Sequence, residues 1–144
     1  MKKLLMLLLL GSISTTATAR EDIQDFSINE AMAINKISSA IGEGVEFYFA
    51  GQQHGAIVKS LGEFKTSKKT NAFGKSDLKA CQWAFASAMK SLKQRAQKEG
   101  GNAVVNIRSN YDNHQTSSAE TFKCGAGNVI AGVALIGDVV TLEK

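Results

Sequence analysis

The spacing of apolar residues changes along the chain, and each spacing predicts a different element. Residues 45–49 alternate between apolar and polar side chains, which is the period of a half-buried strand. Between residues 78 and 96 the apolar spacing is three and four, which predicts a long helix capped by Ser76 and ended at Gly100. Its apolar stripe consists of Leu78, Cys81, Phe85, Ala88, Met89, Leu92 and Ala96.

A shorter helix is predicted near the start of the domain, from about Ile28 to Ala40. Ser27 and Glu30 have the spacing of a capping box, in which two side chains satisfy backbone N–H groups at the start of a helix. Gly42 follows and can end this helix, because glycine adopts the left-handed conformation that commonly closes a helix.

The rest of the pattern predicts further strands and two breaks. Further strands are predicted at 56–64, 103–111 and 117–124, with a turn at 112–115 that makes the last two antiparallel partners. Residues 128–142 are apolar and rich in β-formers, and Gly137-Asp138 interrupts them, which predicts a closing hairpin. Residues 65–75 are polar, basic and without periodicity, which predicts a loop.

These elements together predict an α+β domain. We expect an antiparallel sheet of about five strands, one long helix packed on it and a short N-terminal helix. No proline occurs, and no Gly/Ser-rich linker divides residues 20–144, so this range is predicted to be a single domain.

The first nineteen residues have the order of a secretory signal peptide. Lys2 and Lys3 are followed by an apolar run at 4–10 and by Ala17-Thr18-Ala19, the pattern recognised by signal peptidase. The run is shorter than the roughly 20 apolar residues that span a bilayer. A buried N-terminal helix is the alternative, but such a helix does not require all three features in this order. We therefore predict a signal peptide at 1–19 and a periplasmic or secreted mature protein.

Removal of this segment changes what the charge implies about partners. The formal charge falls from +4 to +2 when Lys2 and Lys3 are lost, and so small a charge does not favour a nucleic-acid partner. No second long apolar run follows, so no integral membrane segment is predicted in the mature chain.

The two cysteines are predicted to pair in an oxidising compartment. Cys81 lies in the apolar stripe of the long helix, and Cys124 shares a predicted strand face with Phe122. A Cys81–Cys124 disulfide would place the helix over that face of the sheet. Two buried free thiols are the alternative.

The segment that follows the long helix resembles a known superfamily. A helix that ends in a glycine pair, followed by Asn102-Ala103-Val104-Val105 and a strand, is similar to the YbjQ-like and RcsF-like superfamily over about residues 81–142. Residues 69–77 and 81–85 resemble a narrower family of small exported bacterial proteins, often labelled "excinuclease ATPase subunit". The resemblance implies a sheet with one long helix, envelope or stress-related roles in some members, and a heavy-metal-binding label in others. RcsF-like members are lipoproteins, whereas this chain lacks a lipidation cysteine near residue 20.

The ATPase label finds no support in the motifs. Gly74-Lys75-Ser76 precedes a predicted helix, as in a P-loop, but Lys69 stands where the loop needs its first glycine. The preceding segment is also polar and does not predict a buried strand. We interpret this triplet as a loop followed by a helix cap.

Metal binding and catalysis are not favoured by the remaining chemistry. His54 and His114 each stand alone in a predicted turn, and oxidised cysteines would leave no thiolate ligand. Serine, histidine and aspartate residues occur in no recognisable catalytic motif. We therefore expect no metal, no cofactor and no catalytic residues, and a protein that is not an enzyme.

Two groups of polar residues remain as candidate contact sites. The densest charge cluster could contact an anionic envelope surface or an acidic envelope protein, with a solvated loop as the alternative. It consists of Lys59, Lys65, Lys68, Lys69 and Lys75. The second group alternates along a predicted strand, should form one polar row on the outer face of the sheet, and consists of Asn102, Asn106, Arg108 and Asn110.

These observations favour a binding role over an enzymatic one. The sequence predicts a periplasmic or secreted protein with an envelope-associated binding or stress-related role. The alternative is a small-ligand or metal-binding periplasmic protein.

Overall fold

The computed structural model describes residues 20–144, and the fold of these residues is α+β. The predicted signal peptide lies outside the described residues. In chain order the elements are β1 (Asp22–Ser27), α1 (Ile28–Ala33), α2 (Asn35–Ile41), β2 (Glu46–Phe49), β3 (Ile57–Asn71), α3 (Asp77–Glu99), β4 (Ala103–Tyr111), β5 (His114–Thr116), β6 (Thr121–Ala126) and β7 (Ile130–Leu142).

The seven strands of this range form one mixed sheet around β7. Strand β3 pairs with β7 along its whole length on one side, and β4 and β6 pair with it on the other. Strand β1 extends the sheet beyond β6, and β5 pairs with the end of β4. Strand β2 runs parallel to β4, which is possible because β3 and α3 lie between them in the chain and provide the long crossover that parallel neighbours need. The expected sheet of about five antiparallel strands is therefore wrong in strand number and in one pairing.

Helix α3 packs on one face of the sheet, as its apolar stripe predicted. The Ser76 side chain accepts a hydrogen bond from Lys79 N at 3.2 Å, and Gly100 closes the helix with a φ of 81°. The Phe85 ring stacks on Phe122 of β6 with 4.3 Å between ring centres. Leu78 is the exception in the stripe, because 44% of it is exposed.

A disulfide joins the middle of this interface. Cys81 of α3 and Cys124 of β6 are bonded, with Cα atoms 5.9 Å apart, and both residues are fully buried. The bond therefore ties α3 to β6, the strand that pairs with β1.

The predicted N-terminal helix is broken into α1 and α2 at Ile34. Ile28 and Ile37 are both buried, but at about 100° per residue nine residues would place them on opposite sides of one continuous helix. Ile34 instead adopts an extended conformation, and the break lets both short helices turn their isoleucines to the core. At the start of α1, Ser27 accepts a hydrogen bond from Glu30 N.

The predicted loop at 65–75 is wrong over most of its length, because β3 continues to Asn71. Phe64, Thr66 and Thr70 are half-buried, whereas the residues between them are exposed, so the alternation of a strand is present in burial. Strand β3 is an edge strand that pairs with β7 alone, and edge strands accommodate exposed lysines that discourage pairing with other chains.

The predicted hairpin at Gly137-Asp138 is also wrong, because β7 passes through both residues without a turn. A Cβ atom on Gly137 would overlap Val104 and approach Ile107 and Leu92. The glycine therefore leaves room for the Val104 side chain of the neighbouring strand β4.

The strand after β4 also differs from the prediction. The tight turn at Asp112-Asn113, where both residues have positive φ, leads into the short strand β5. The predicted partner at 117–124 corresponds to β6, which pairs with β1 and β7.

Candidate functional site

The five predicted contact lysines do not form one compact loop. Lys59, Lys65, Lys68 and Lys69 lie along β3, and all four are exposed. Lys75 lies in the following loop, where its Nζ donates to Asn71 O at 3.0 Å. Ten residues of extended chain separate Lys59 from Lys69, which is a span of about 30 Å.

The lysines of β3 are divided between the two faces of the sheet. Phe64 packs against the core on the side of α3, so alternation places Lys68 on that side and Lys65 and Lys69 on the other. The cluster predicted from the sequence is therefore a charged edge.

Charge is strongly segregated between this edge with its helix and the rest of the described chain. Residues 57–99, which include β3 and α3, contain ten lysine and arginine residues and three carboxylates, a net side-chain charge of +7. The described residues outside this range contain five cations and ten carboxylates, a net charge of −5. Because β3 and α3 pack against each other, the positive charge lies on one side of the molecule.

A shallow groove of about 400 Å³ lies between β3 and α3 within this basic side. Two cations of the helix, Arg95 and Lys98, border it, and Lys65 lines it from the strand although alternation places its side chain on the opposite face of the sheet. The Arg95 guanidinium lies over the Phe64 ring, 4.1 Å from its centre, and its Nε is 3.2 Å from the Glu99 carboxylate. We call these residues the basic groove; its complete lining is Phe64, Lys65, Thr66, Ser91, Leu92, Gln94, Arg95 and Lys98.

Of the lysines predicted as contacts, only Lys65 borders the basic groove, and the helix residues were missed. The signal for them was present in the sequence. Ser91, Gln94, Arg95 and Lys98 recur at spacings of three and four, which places polar side chains on one helical face beside the apolar stripe. Chemically, the cations and neighbouring hydroxyl and amide groups suit phosphate, sulfate or carboxylate groups.

The predicted polar row on β4 is not a row. Asn106 has a φ of 49° and forms a bulge, so the register with β7 shifts between Val105 and Arg108. Asn102 binds the backbone of Leu142 twice, donating from Nδ2 to O at 3.1 Å and accepting from N at 2.8 Å. Arg108 and Asn110 are each only 8% exposed, so this set does not present a common solvated face.

Arg108 is instead the centre of a polar network on the outer face of the sheet. Its guanidinium donates to Glu63 at 2.7 Å, to Gln115 at 2.9 Å and to the backbone oxygen of Asn106 at 2.8 Å. Asp138 lies 3.7 Å away, and Asn106 Nδ2 donates to it at 3.4 Å. Since the donors of Arg108 are occupied by protein groups, we assign this network to the stability of the sheet.

A second, open cleft of about 670 Å³ lies where the described chain begins. Tyr111 borders it and donates to the Glu21 carboxylate, and burial together with this hydrogen bond raises the tyrosine pKa to about 12. Arg20 borders it as well; it pairs with Asp22 and Asp77 and donates to Asn128. The hydrogen bonds to the two carboxylates raise the pKa of Arg20.

The two histidines lie apart from these features. His54 Nδ1 donates to Gly55 O at 2.8 Å, and His114 Nδ1 donates to Asp112 O at 3.0 Å. Within residues 20–144, no three His, Cys, Asp or Glu side chains are grouped to hold a metal ion.

Gly74-Lys75-Ser76 has the conformation of a turn that leads into a cap. Gly74 has a φ of 71°, and Ser76 caps α3. The strand before it is the exposed edge strand β3, whereas a P-loop follows a buried strand.

Within residues 20–144, every helix is too short or too polar to cross a membrane.

Comparison with known proteins yields similarity in structure alone. No family model matches the sequence, and no curated protein matches it. A crystal structure of a protein of unknown function from Pediococcus pentosaceus, described as a DUF74 family member, is similar with a TM-score of 0.47 and 14% identity. The similarity covers 70% of this chain and 100% of that chain.

Proposed function

We propose that this is a non-enzymatic periplasmic or secreted protein that binds an anionic component of the cell envelope through its basic side, with a role in the envelope or in its stress response. The supporting observation is the segregation of charge between residues 57–99 and the remaining described residues. A net charge of +7 beside one of −5 orients the molecule toward an anionic surface even though the total charge is small.

The chemistry of the basic side favours anionic headgroups over a defined small substrate. Its cations extend from the edge strand across the basic groove to α3, so they match a surface that carries many anionic groups. Lipid headgroups and lipopolysaccharide are such surfaces in the envelope. Each lysine near an anionic surface contributes about 1 kcal/mol, and the attraction weakens when salt shortens the screening length to about 8 Å at 0.15 M.

The test compares two charge variants of the mature protein. The groove variant, Lys65→Gln with Lys98→Gln, removes two cations of the basic side at residues that line the basic groove, and Lys36→Gln with Lys144→Gln removes two exposed cations outside residues 57–99. Binding to immobilised lipopolysaccharide and to anionic vesicles is measured at low and high salt. We expect the groove variant to bind about tenfold or more weakly than the wild type. The control variant should bind as the wild type does.

Equal losses in the two variants, or binding that is insensitive to salt, would contradict a specific role for the basic side. The proposal itself would be overturned if the wild type bound neither lipopolysaccharide nor anionic vesicles.

Small-ligand binding is the second candidate, and the cleft beside Tyr111 is the observation that favours it. Arg20 and Lys69 border this cleft and would suit a small anionic molecule. Screening small anionic metabolites by thermal shift, with Tyr111→Phe and Lys69→Gln as variants, tests this candidate. A ligand whose stabilising effect is unchanged in both variants would exclude the cleft as its site.

A further inference from the structure

Large apolar residues are unusually exposed at one end of the basic side. Phe73 is 75% exposed in the loop between β3 and α3, and Val129 is 60% exposed in the loop between β6 and β7. Ile130 is the first residue of β7 and Leu78 is the second residue of α3, and both are also exposed. We call these four residues the apolar tip. They are half of the eight large apolar residues that are exposed within residues 20–144.

Hydrogen bonds hold the two loops of the apolar tip together. Ala72 N donates to Val129 O at 2.7 Å, which joins one loop to the other. Arg20 crosses between them, since its guanidinium binds both Asp77 at the start of α3 and Asn128. Phe73 itself is presented by a tight turn in which its N–H donates to the Asn71 side chain at 2.9 Å. The tip is therefore a built feature with a defined backbone.

Lysines flank Phe73 on both sides in the sequence. Lys68 and Lys69 lie near the end of the edge strand, Lys75 lies two residues after Phe73, and Lys79 lies in the first turn of α3. Asp77 is the only carboxylate between residues 68 and 79, and it is paired with Arg20. Exposed apolar residues flanked by lysines are the combination that favours the boundary between anionic headgroups and acyl chains.

We propose that the apolar tip inserts into the surface of an anionic lipid bilayer, with Phe73 entering the acyl-chain boundary while the flanking lysines contact headgroups. This inference rests on the proposed function and specifies its anionic component as lipid. Charge complementarity identifies the occupant, and the protruding position of Phe73, three-quarters exposed on a turn, suits insertion better than capture of a ligand.

Insertion predicts two separable contributions to binding. The lysine contribution should fade with salt, whereas the apolar contribution should persist at high ionic strength. Phe73→Ser with Val129→Ser should therefore weaken binding at high salt by about tenfold or more. The matched control is Ile57→Ser with Val58→Ser, which changes two exposed apolar residues at the opposite end of β3.

Fluorescence reports insertion directly. Trp83 is the single tryptophan, so Phe73→Trp in a Trp83→Phe background places the only indole at the tip, and Val58→Trp in the same background is its control. With vesicles of phosphatidylethanolamine and phosphatidylglycerol, the Phe73→Trp protein should shift its emission to shorter wavelength and be quenched by brominated acyl chains. Vesicles of phosphatidylcholine alone should produce a much smaller change. Sedimentation of the serine variants with the same vesicles tests insertion in proteins that retain Trp83.

The outcomes separate this inference from the function on which it rests. Loss of high-salt binding in the tip variant alone, together with quenching at position 73, would support insertion. If vesicle or lipopolysaccharide binding depends on the basic groove but is unchanged in the tip variant, insertion is wrong and the proposed function stands. Binding to lipopolysaccharide without binding to vesicles would likewise overturn insertion.

Discussion

Arg108 and Glu63 lie on strands that do not pair with each other, yet their side chains meet at 2.7 Å. Both β4 and β3 pair with β7, so the guanidinium must reach across the strand between them. The bulge at Asn106 shifts the register of β4 at this point, and the backbone oxygen of Asn106 accepts another hydrogen bond from Arg108. The contact therefore joins three strands of the sheet through one arginine.

Replacing this arginine should destabilise the fold. Arg108→Met keeps much of the alkyl volume but leaves the Glu63, Asp138 and Gln115 side chains without their common cation. We expect the free energy of unfolding to fall by about 1.5–3 kcal/mol, as for hydrogen bonds to charged groups. Urea unfolding followed by circular dichroism measures the change.

Lys123→Met is the matched control, because its ion pair with Asp25 at 2.9 Å is much more exposed. This change should cost at most about 1 kcal/mol. Equal effects of the two substitutions would show that the Arg108 network adds nothing beyond an ordinary surface ion pair.

The long helix could be predicted from the sequence because local signals and tertiary packing agree there. The apolar spacing, the cap at Ser76 and the glycine at 100 all describe the helix that is present. The prediction of one continuous N-terminal helix failed because Ile28 and Ile37 must both reach the core, and only a break at Ile34 allows this. The prediction of a purely antiparallel sheet failed because the parallel contact of β2 with β4 depends on a crossover that periodicity does not reveal.

The candidate site was predictable only in part, for similar reasons. The density of lysines near residue 65 identified the charged edge, but the polar composition hid the strand that carries it. Arg95 and Lys98 join the basic side only after α3 packs beside β3. The polar row on β4 failed because one residue, Asn106, adopts a positive φ and changes the face of every residue after it.

Gly137 should not tolerate a methyl group. The Cβ of Gly137→Ala would overlap the Val104 side chain, because Val104 of the neighbouring strand β4 occupies the space beside the glycine. Such overpacking typically costs about 1–3 kcal/mol. Thermal unfolding of the variant measures the loss.

Gly132→Ala is the control in the same strand, since its nearest neighbour would be Lys69 Cγ at 3.6 Å, an ordinary contact. We expect little change or a slight gain in stability there. A Gly137→Ala protein as stable as the wild type would contradict the close packing of Val104 against Gly137.

The Cys81–Cys124 bond should contribute substantially to stability. It closes a loop across a sequence separation of 43 residues, and both cysteines are fully buried at the contact of α3 with β6. Cys81→Ala with Cys124→Ala should lower the free energy of unfolding by about 2–5 kcal/mol. Urea unfolding of this variant, compared with the wild type with and without reductant, provides the measurement.

Reductant should destabilise the wild type and leave the double variant unchanged. Two free thiols in denatured, unreduced protein taken from the envelope fraction would refute the bond.

Tyr111 should make the fold sensitive to alkaline pH. Burial first, and then the hydrogen bond to Glu21, raise its pKa from the usual 10.0 to about 12 in the folded state. A phenol is neutral below its pKa, so between these two values the folded protein holds a proton that the unfolded chain has lost. The contribution of Tyr111 to stability is therefore complete below pH 10 and is lost as the pH rises toward 12.

The free energy of unfolding should consequently fall more steeply over this range in the wild type than in Tyr111→Phe, which cannot ionise. Tyr48→Phe is the matched control, because the pKa of Tyr48 is raised mainly by a hydrogen bond to Glu46 at an exposed site. Absorbance of tyrosinate, recorded for each single-tyrosine variant, assigns the two titrations independently of stability. If the tyrosine at 111 ionises near 10 and the wild type and Tyr111→Phe lose stability in parallel, the contact between Tyr111 and Glu21 does not hold the start of the domain in place.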